Sequence, residues 1–176
     1  TLNNIFSQRY NVNGIPQGQN FKVNNSMGSA ISPDITVLKS GEFVITWSFL
    51  DVYFRRYSQA GDTLSLETTV NDTTGNLNPS ISYLQDGKYI ICWECYPSSL
   101  NSDICFQLVD SLGNKIGLNQ RVNDDTGTTR QETPVVTVLP NGNFVIAWED
   151  ARPPSISGMS DIYMQMYDQN GNKIGV

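Results

Sequence analysis

Apolar and polar residues alternate along most of this chain. In the segment DIYMQMY, Ile162, Met164 and Met166 fall on one side of an extended chain, and Tyr163, Gln165 and Tyr167 on the other. Short apolar runs such as FVIAW at 144–148 end in turns rich in Gly, Asn and Asp. No segment sustains a 3.6-residue period. The pattern therefore predicts strands throughout and no helix longer than one turn.

The alternation is organised as a repeat. Three segments align: PDITVLKSGEFVITWSF from Pro33, PSISYLQDGKYIICWEC from Pro79 and PVVTVLPNGNFVIAWED from Pro134. Each runs from Pro to Leu and turns at Gly41, Gly87 or Gly142. It then continues through an aromatic residue (Phe43, Tyr89, Phe144) to a tryptophan (Trp47, Trp93, Trp148). A second unit follows each tryptophan: DVYFRRYSQAG from Asp51, DICFQLVDSLG from Asp103 and DIYMQMYDQNG from Asp161. A fourth copy, NIFSQRYNVNG, begins at Asn4. A third unit, Val-Asn-(Asn/Asp)-x-x-Gly, occurs at Val23, Val70 and Val122.

Four short antiparallel strands in about 50 residues, repeated in series, predict an all-β chain of β-propeller blades. The expected plan is a single repeat domain. It has a partial N-terminal blade at about 1–31 and four-stranded blades at about 32–78, 79–132 and 133–176. A four-stranded sheet has two apolar faces and needs neighbours to cover both. Three blades are fewer than the usual four to eight of a closed ring. The sequence therefore leads us to expect flanking blades of a longer propeller, or self-association of copies.

Composition narrows the chemistry. The chain has 176 residues, no histidine and a formal net charge of −6. Lack of histidine excludes Ser-His-Asp and Cys-His catalysis, histidine zinc sites and a histidine pH switch. The acidic balance speaks against nucleic acid as a partner. No apolar run approaches the roughly 20 residues of a membrane-spanning helix.

Glu149, Asp150 and Arg152 follow Trp148 directly, and invite comparison with an active site. Their counterparts are Ser48-Phe49 after Trp47 and Glu94-Cys95 after Trp93, so the carboxylate pair occurs in one repeat only. A bracing role is expected, with Asp150 and Arg152 forming a loop ion pair or capping a strand end. Glu94 and Glu149 recur beside tryptophan. They are the one pair that offers the two carboxylates of a glycoside hydrolase.

Other groups have two readings each. Asp124 and Asp125 of NDDTG, and Asp168 and Asn170 of DQNGNK, offer oxygen ligands for calcium, or else ordinary Asx turns. Cys95 and Cys105 stand where the third repeat has Asp150 and Tyr163, on adjacent strands flanking one loop. They are within reach of a disulfide, with two buried thiols as the alternative. Cys92 points away from Trp93 and reads as a small core residue. The insertion RPPSISGMS at 152–160 is a rim loop that offers a contact surface or a plain connection. Arg152, Ser155, Ser157 and Asp161 are its candidate binding residues. Phe6, Tyr53 and Tyr163 share one strand position and read as core between blades.

The motif Trp148-Glu149-Asp150-x-Arg152 followed by Asp161-Ile162-Tyr163-x-Gln165 resembles the blade repeats of large secreted and cell-surface bacterial proteins. The blade plan is also similar to TolB-type and sialidase-type propellers. The sialidase Asp-box, Ser-x-Asp-x-Gly-x-x-Trp, is absent. The resemblance implies a bacterial extracellular or cell-surface module. We expect non-enzymatic binding, adhesion or scaffolding on a protein or glycan surface. The alternative is a propeller glycoside hydrolase or lectin acting on carbohydrate. No cofactor is expected beyond the calcium candidates.

Overall fold

The computed structural model describes residues 2–25, 28–98, 101–125, 127–152 and 159–175. At the N-terminus β1 (Phe6–Ser7) and β2 (Phe21–Lys22) form a two-stranded sheet. Three four-stranded antiparallel sheets follow, each a simple meander. The first contains β3 (Ile31–Val37), β4 (Phe43–Phe49), β5 (Asp51–Tyr57) and β6 (Thr68–Thr69). The second contains β7 (Leu77–Tyr83), β8 (Tyr89–Ser98), β9 (Asn101–Val109) and β10 (Lys115–Arg121). The third contains β11 (Gln131–Val138), β12 (Phe144–Asp150), β13 (Asp161–Tyr167) and β14 (Lys173–Ile174). Among the described residues a single 3₁₀ turn, Gln85–Gly87, is the only helical element. No helix there is long and apolar enough to cross a membrane.

Local chemistry sets the hairpins. In each blade the leucine that ends the first strand bonds across the turn: Leu38 to Glu42, Leu84 to Lys88 and Leu139 to Asn143. Gly41 and Gly142 sit at φ 85°, a conformation that a side chain would strain.

The first strands extend further upstream than their prolines suggest. Proline cannot donate to a ladder, which makes it an apparent strand start. Instead Ser32, Asn78 and Thr133, each directly before a proline, adopt left-handed φ of 51°, 48° and 51°. Each makes a bulge that shifts the register, and pairing resumes beyond it at Ile31, Leu77 and Glu132. No glycine marks these bulges, so the sequence pattern gave no sign of them.

The core lies between blades. One cluster joins Val44, Val52, Phe54 and Val70 of the first blade to Ile81, Tyr89, Ile91 and Trp93 of the second. Another joins Cys92, Ile104, Phe106 and Val122 to Phe144, Ile146, Trp148 and Tyr167. A third packs Ile5 and Val23, which flank the two-stranded sheet, and Ala30, which precedes β3, on Phe43, Ile45, Trp47 and Tyr57. Each tryptophan thus packs against the preceding blade, and all three are buried. Cys92 lies in the cluster on the other face of its sheet from Trp93, as its strand position predicts.

A polar pin recurs in the half-blade and in the first two full blades. The asparagine of each Val-Asn pair is buried and accepts a hydrogen bond from a third-strand amide. Asn24 accepts from Ile5 at 2.9 Å, Asn71 from Val52 at 2.6 Å and Asn123 from Ile104 at 2.9 Å. Its Nδ2 then donates to the side chain of the residue just before that amide: Asn4, Asp51 or Asp103. One side chain fixes both the end of the fourth strand and the start of the third.

Two expected outcomes test this packing. Asn123→Ala leaves the buried Ile104 amide without an acceptor and should cost about 1–3 kcal/mol in urea unfolding. Trp93→Ala should cost about 3–5 kcal/mol by cavity formation. A loss below about 1 kcal/mol for Trp93→Ala would place the tryptophan outside the interblade core.

Candidate functional site

The connections between second and third strands meet the connections between blades at one rim. Arg152 is the node there in the third blade. Its Nη2 donates to Asp150 at 2.7 Å and its Nη1 to Asp124 at 2.6 Å. The guanidinium lies 4.5 Å above the Tyr163 ring, which stacks on Trp148 at 6.3 Å.

Asp150 is fully buried. It also accepts from Trp148 Nε1 at 3.0 Å, from the Arg152 amide at 3.0 Å and from Gln131 at 3.2 Å. Burial alone would raise its pKa. The Arg152 guanidinium and the other donors outweigh burial and hold the carboxyl below the usual range. Asp150 and Arg152 therefore form the bracing ion pair expected from the repeat comparison.

The second blade solves the same problem covalently. Cys95 and Cys105 occupy the Asp150 and Tyr163 positions and form a disulfide with a Cα–Cα distance of 5.8 Å. Where one blade links these two positions through a guanidinium, the other uses a sulfur bridge. The first blade closes the connection between Trp47 and Asp51 tightly, with Leu50 at φ 62°.

The acidic turn residues have partners within the protein. Asp124 is held below its ordinary pKa by the hydrogen bond and charge of Arg152. Asp125 accepts from the Thr129 hydroxyl and from the Gly127 amide at 2.9 Å, and is lowered for those reasons. Asp168 accepts from the amides of Asn170 and Asn172 at 2.8 and 2.9 Å, closing a hairpin turn. Among the described residues no group of three or more carboxylates or thiols is placed to hold a metal ion. Asp161 is exposed, as is Glu149. Ser155 and Ser157 lie outside the described residues.

Glu94 and Glu149 occupy equivalent positions, paired with Ile104 and Ile162, but in different environments. Glu94 is buried and accepts from Asn78 Nδ2 at 2.8 Å, the Thr133 amide at 2.6 Å and the Tyr96 hydroxyl at 3.2 Å. It ties the first strand of its own blade to the first strand of the next. Ser32 extends the chain of contacts by donating to Asn78 at 2.8 Å. Burial raises the Tyr96 phenol above its ordinary value, and the charges of Glu94 and Glu132 add to the effect. Arg130 pairs with Glu132 at 3.2 Å on the exposed side of this group.

The arrangement is a patch of hydroxyl, amide, carboxylate and guanidinium groups at the inner edge of the blades, where β7 packs between β3 and β11. Sequence reasoning singled out Glu94 but missed Tyr96, Asn78 and Ser32. No local signal marked them, because a polar residue before proline reads the same in a bulge as in a turn.

Tyr53 and Tyr163 are half-buried beside their tryptophans, in keeping with a core position. Phe6 is a correction to that expectation. It is exposed, because no tryptophan-bearing strand pairs beside it among the described residues.

Comparisons with solved structures show the fold. The chain is similar to the GH93 α-L-arabinofuranosidase of Fusarium graminearum, at 15% identity and a TM-score of 0.59. The match covers 88% of this chain and 52% of that one. It is similar to a mutant of the NanB sialidase of Streptococcus pneumoniae, at 13% identity and a TM-score of 0.63, covering 97% and 28%. It also resembles a mutant of a GH43 protein of Bacillus licheniformis, at 14% identity and a TM-score of 0.53, covering 97% and 40%. The chain thus spans less than two thirds of each of these proteins. No family model matches it, and no curated protein does. At these identities the likeness establishes a β-propeller fold.

Two measurements check the site. A thiol reagent should find no reactive cysteine in the native protein, because Cys92 is buried and burial pushes its thiol up. It should find one thiol after unfolding without reductant and three after reduction. The second is an acid titration of stability. Asp124, Asp125 and Asp150 have folded pKa values below the unfolded value of about 3.9. Their contribution is present above that value and is lost as pH falls through the lower, folded values. Stability should drop below about pH 4, and Arg152→Met should make the drop shallower.

Proposed function

We propose that this chain is a carbohydrate-recognising propeller module, with the inner-rim patch of Ser32, Asn78, Tyr96, Arg130 and Glu132, held from beneath by the buried Glu94, as its sugar-contacting surface. The observation that carries this reading is the patch itself. Neutral donors and acceptors, one guanidinium and a tyrosine face together, which suits the hydroxyl groups and ring faces of sugars. Support comes from the names of similar structures, an arabinofuranosidase and a sialidase, which share the fold. That likeness favours a carbohydrate role over adhesion or scaffolding without a sugar ligand.

Binding without turnover is the stronger form of the proposal. Glu94 already accepts three hydrogen bonds within the protein and is committed to joining two blades. The Cys95–Cys105 disulfide supports an extracellular or cell-surface setting, where such bonds persist.

A glycan array tests the reading. At least one glycan should bind, and Tyr96→Phe or Glu132→Gln should weaken it by about tenfold, roughly 1.4 kcal/mol. Lack of binding to any glycan would overturn the proposal. Turnover of a chromogenic glycoside that is lost in Glu149→Gln would move the reading to a hydrolase.

A further inference from the structure

The hydrogen bonds around Glu94 have a fixed direction. A carboxylate only accepts, so every neighbour must donate to it. Asn78 donates through Nδ2 at 2.8 Å, the Thr133 amide at 2.6 Å and the Tyr96 hydroxyl at 3.2 Å. The direction carries one step further. With Nδ2 turned to Glu94, Asn78 presents Oδ1 to Ser32, whose hydroxyl donates to it at 2.8 Å. Glu94 is 3% exposed, so this order is imposed from inside the protein.

The outward face of the patch takes its polarity from that order. The Ser32 and Tyr96 hydroxyls direct their hydrogens inward, and each keeps lone pairs for a ligand. Asn78 Oδ1 keeps a lone pair beyond the bond from Ser32. Glu132 adds a half-buried carboxylate. A ligand therefore meets mainly acceptor oxygens.

The charges favour the same ligands. Arg121, Arg130 and Arg152 each have a carboxylate partner. Arg130 grips both oxygens of Glu132, through Nε at 3.2 Å and Nη2 at 3.3 Å. Arg152 bonds Asp150 and Asp124, and Arg121 lies 3.6 Å from Asp103. The partners of Glu94 are neutral donors. All 11 lysines and arginines of the chain lie within the described residues. The carboxylate or sulfate of an acidic sugar brings acceptors and negative charge. Its desolvation would go uncompensated among acceptor oxygens and paired guanidinium groups. Hydroxyl and ammonium groups bring the hydrogens that these oxygens lack.

We propose, on the carbohydrate reading above, that the patch takes neutral and amino sugars and rejects acidic ones, and that Glu94 sets this choice by fixing the hydrogen-bond direction. Glu94 is a positioning residue, since it acts through Tyr96 and Asn78. The similar structures do not make the choice, because their names include both an arabinofuranosidase and a sialidase.

A glycan array carrying arabinan, galactan and glucosamine oligomers beside galacturonan, sialylated and sulfated glycans tests this. Neutral or amino members should bind at least about tenfold more tightly than acidic members. Glu94→Gln keeps the side-chain shape but lets its amide donate to Tyr96, which turns the phenol hydrogen outward. It should narrow the preference about tenfold. Glu132→Lys should narrow it as well, by replacing an acceptor with a second cation beside Arg130. Asp62→Lys makes the same change of charge in the exposed turn after β5 and should leave the preference unchanged. Circular dichroism should show the parent fold in each variant. Equal or tighter binding of acidic glycans by the parent would overturn the proposal and leave the carbohydrate reading standing. So would an unchanged preference in either Glu94→Gln or Glu132→Lys while it remains folded, or a preference lost in Asp62→Lys. Absence of binding to every glycan would remove the carbohydrate reading itself.

Discussion

A four-stranded sheet with apolar side chains on both faces cannot hide them alone, and this constraint shapes the whole molecule. The second blade lends one face to the blade before it and the other to the blade after. Trp93 is buried against Val52 and Phe54 of one neighbour, while Cys92, on the preceding position of the same strand, is buried against the other neighbour's Phe144 and Ile146. The energy sits between sheets rather than within them. The same constraint explains the surface. Ile162 and Met164 are exposed although their counterparts Val52, Phe54, Ile104 and Phe106 are fully buried.

Apolar packing does not by itself fix how far one blade slides on the next. Directional groups do that. The buried asparagines Asn24, Asn71 and Asn123 lock fourth strands to third strands inside each repeat. Between repeats, Asp34 accepts from the Ser80 hydroxyl at 3.0 Å and the Ile81 amide at 2.8 Å, and Glu94 accepts from the Thr133 amide. A carboxylate accepting hydrogen bonds across an interblade seam is costly to displace, because its donors would be left unpaired. The pins and the inner-rim patch are therefore partly the same residues. A surface built this way is held rigid before any ligand arrives, which lowers the cost of recognition.

The link between second and third strands shows how one requirement admits different chemistry. Asp150, Arg152 and Tyr163 span it with an ion pair and a cation–π contact, while Cys95 and Cys105 span it with a disulfide. Both hold the same two strand positions where a longer connection leaves the sheet. What looks like an acid-and-base constellation in one repeat is thus a brace. The repeat comparison indicated as much, since a carboxylate present in only one copy is unlike a residue that every blade requires.

The strands, their order and the burial of Trp47, Trp93 and Trp148 were legible in the sequence. Alternation, turn residues and repetition are local signals, and three copies reinforce one another. The left-handed bulges at Ser32, Asn78 and Thr133 were not legible, because nothing local distinguishes a polar residue before proline in a bulge from one in a turn. Nor was the gathering of Tyr96, Glu94, Asn78 and Ser32, which lie on three different strands of two blades. Their meeting depends on how sheets stack, and stacking is set by contacts between residues far apart in the chain. The sequence alone determined what each blade is. Only the tertiary structure decided which polar groups the blades bring together, because the interblade packing that aligns them has no local signature.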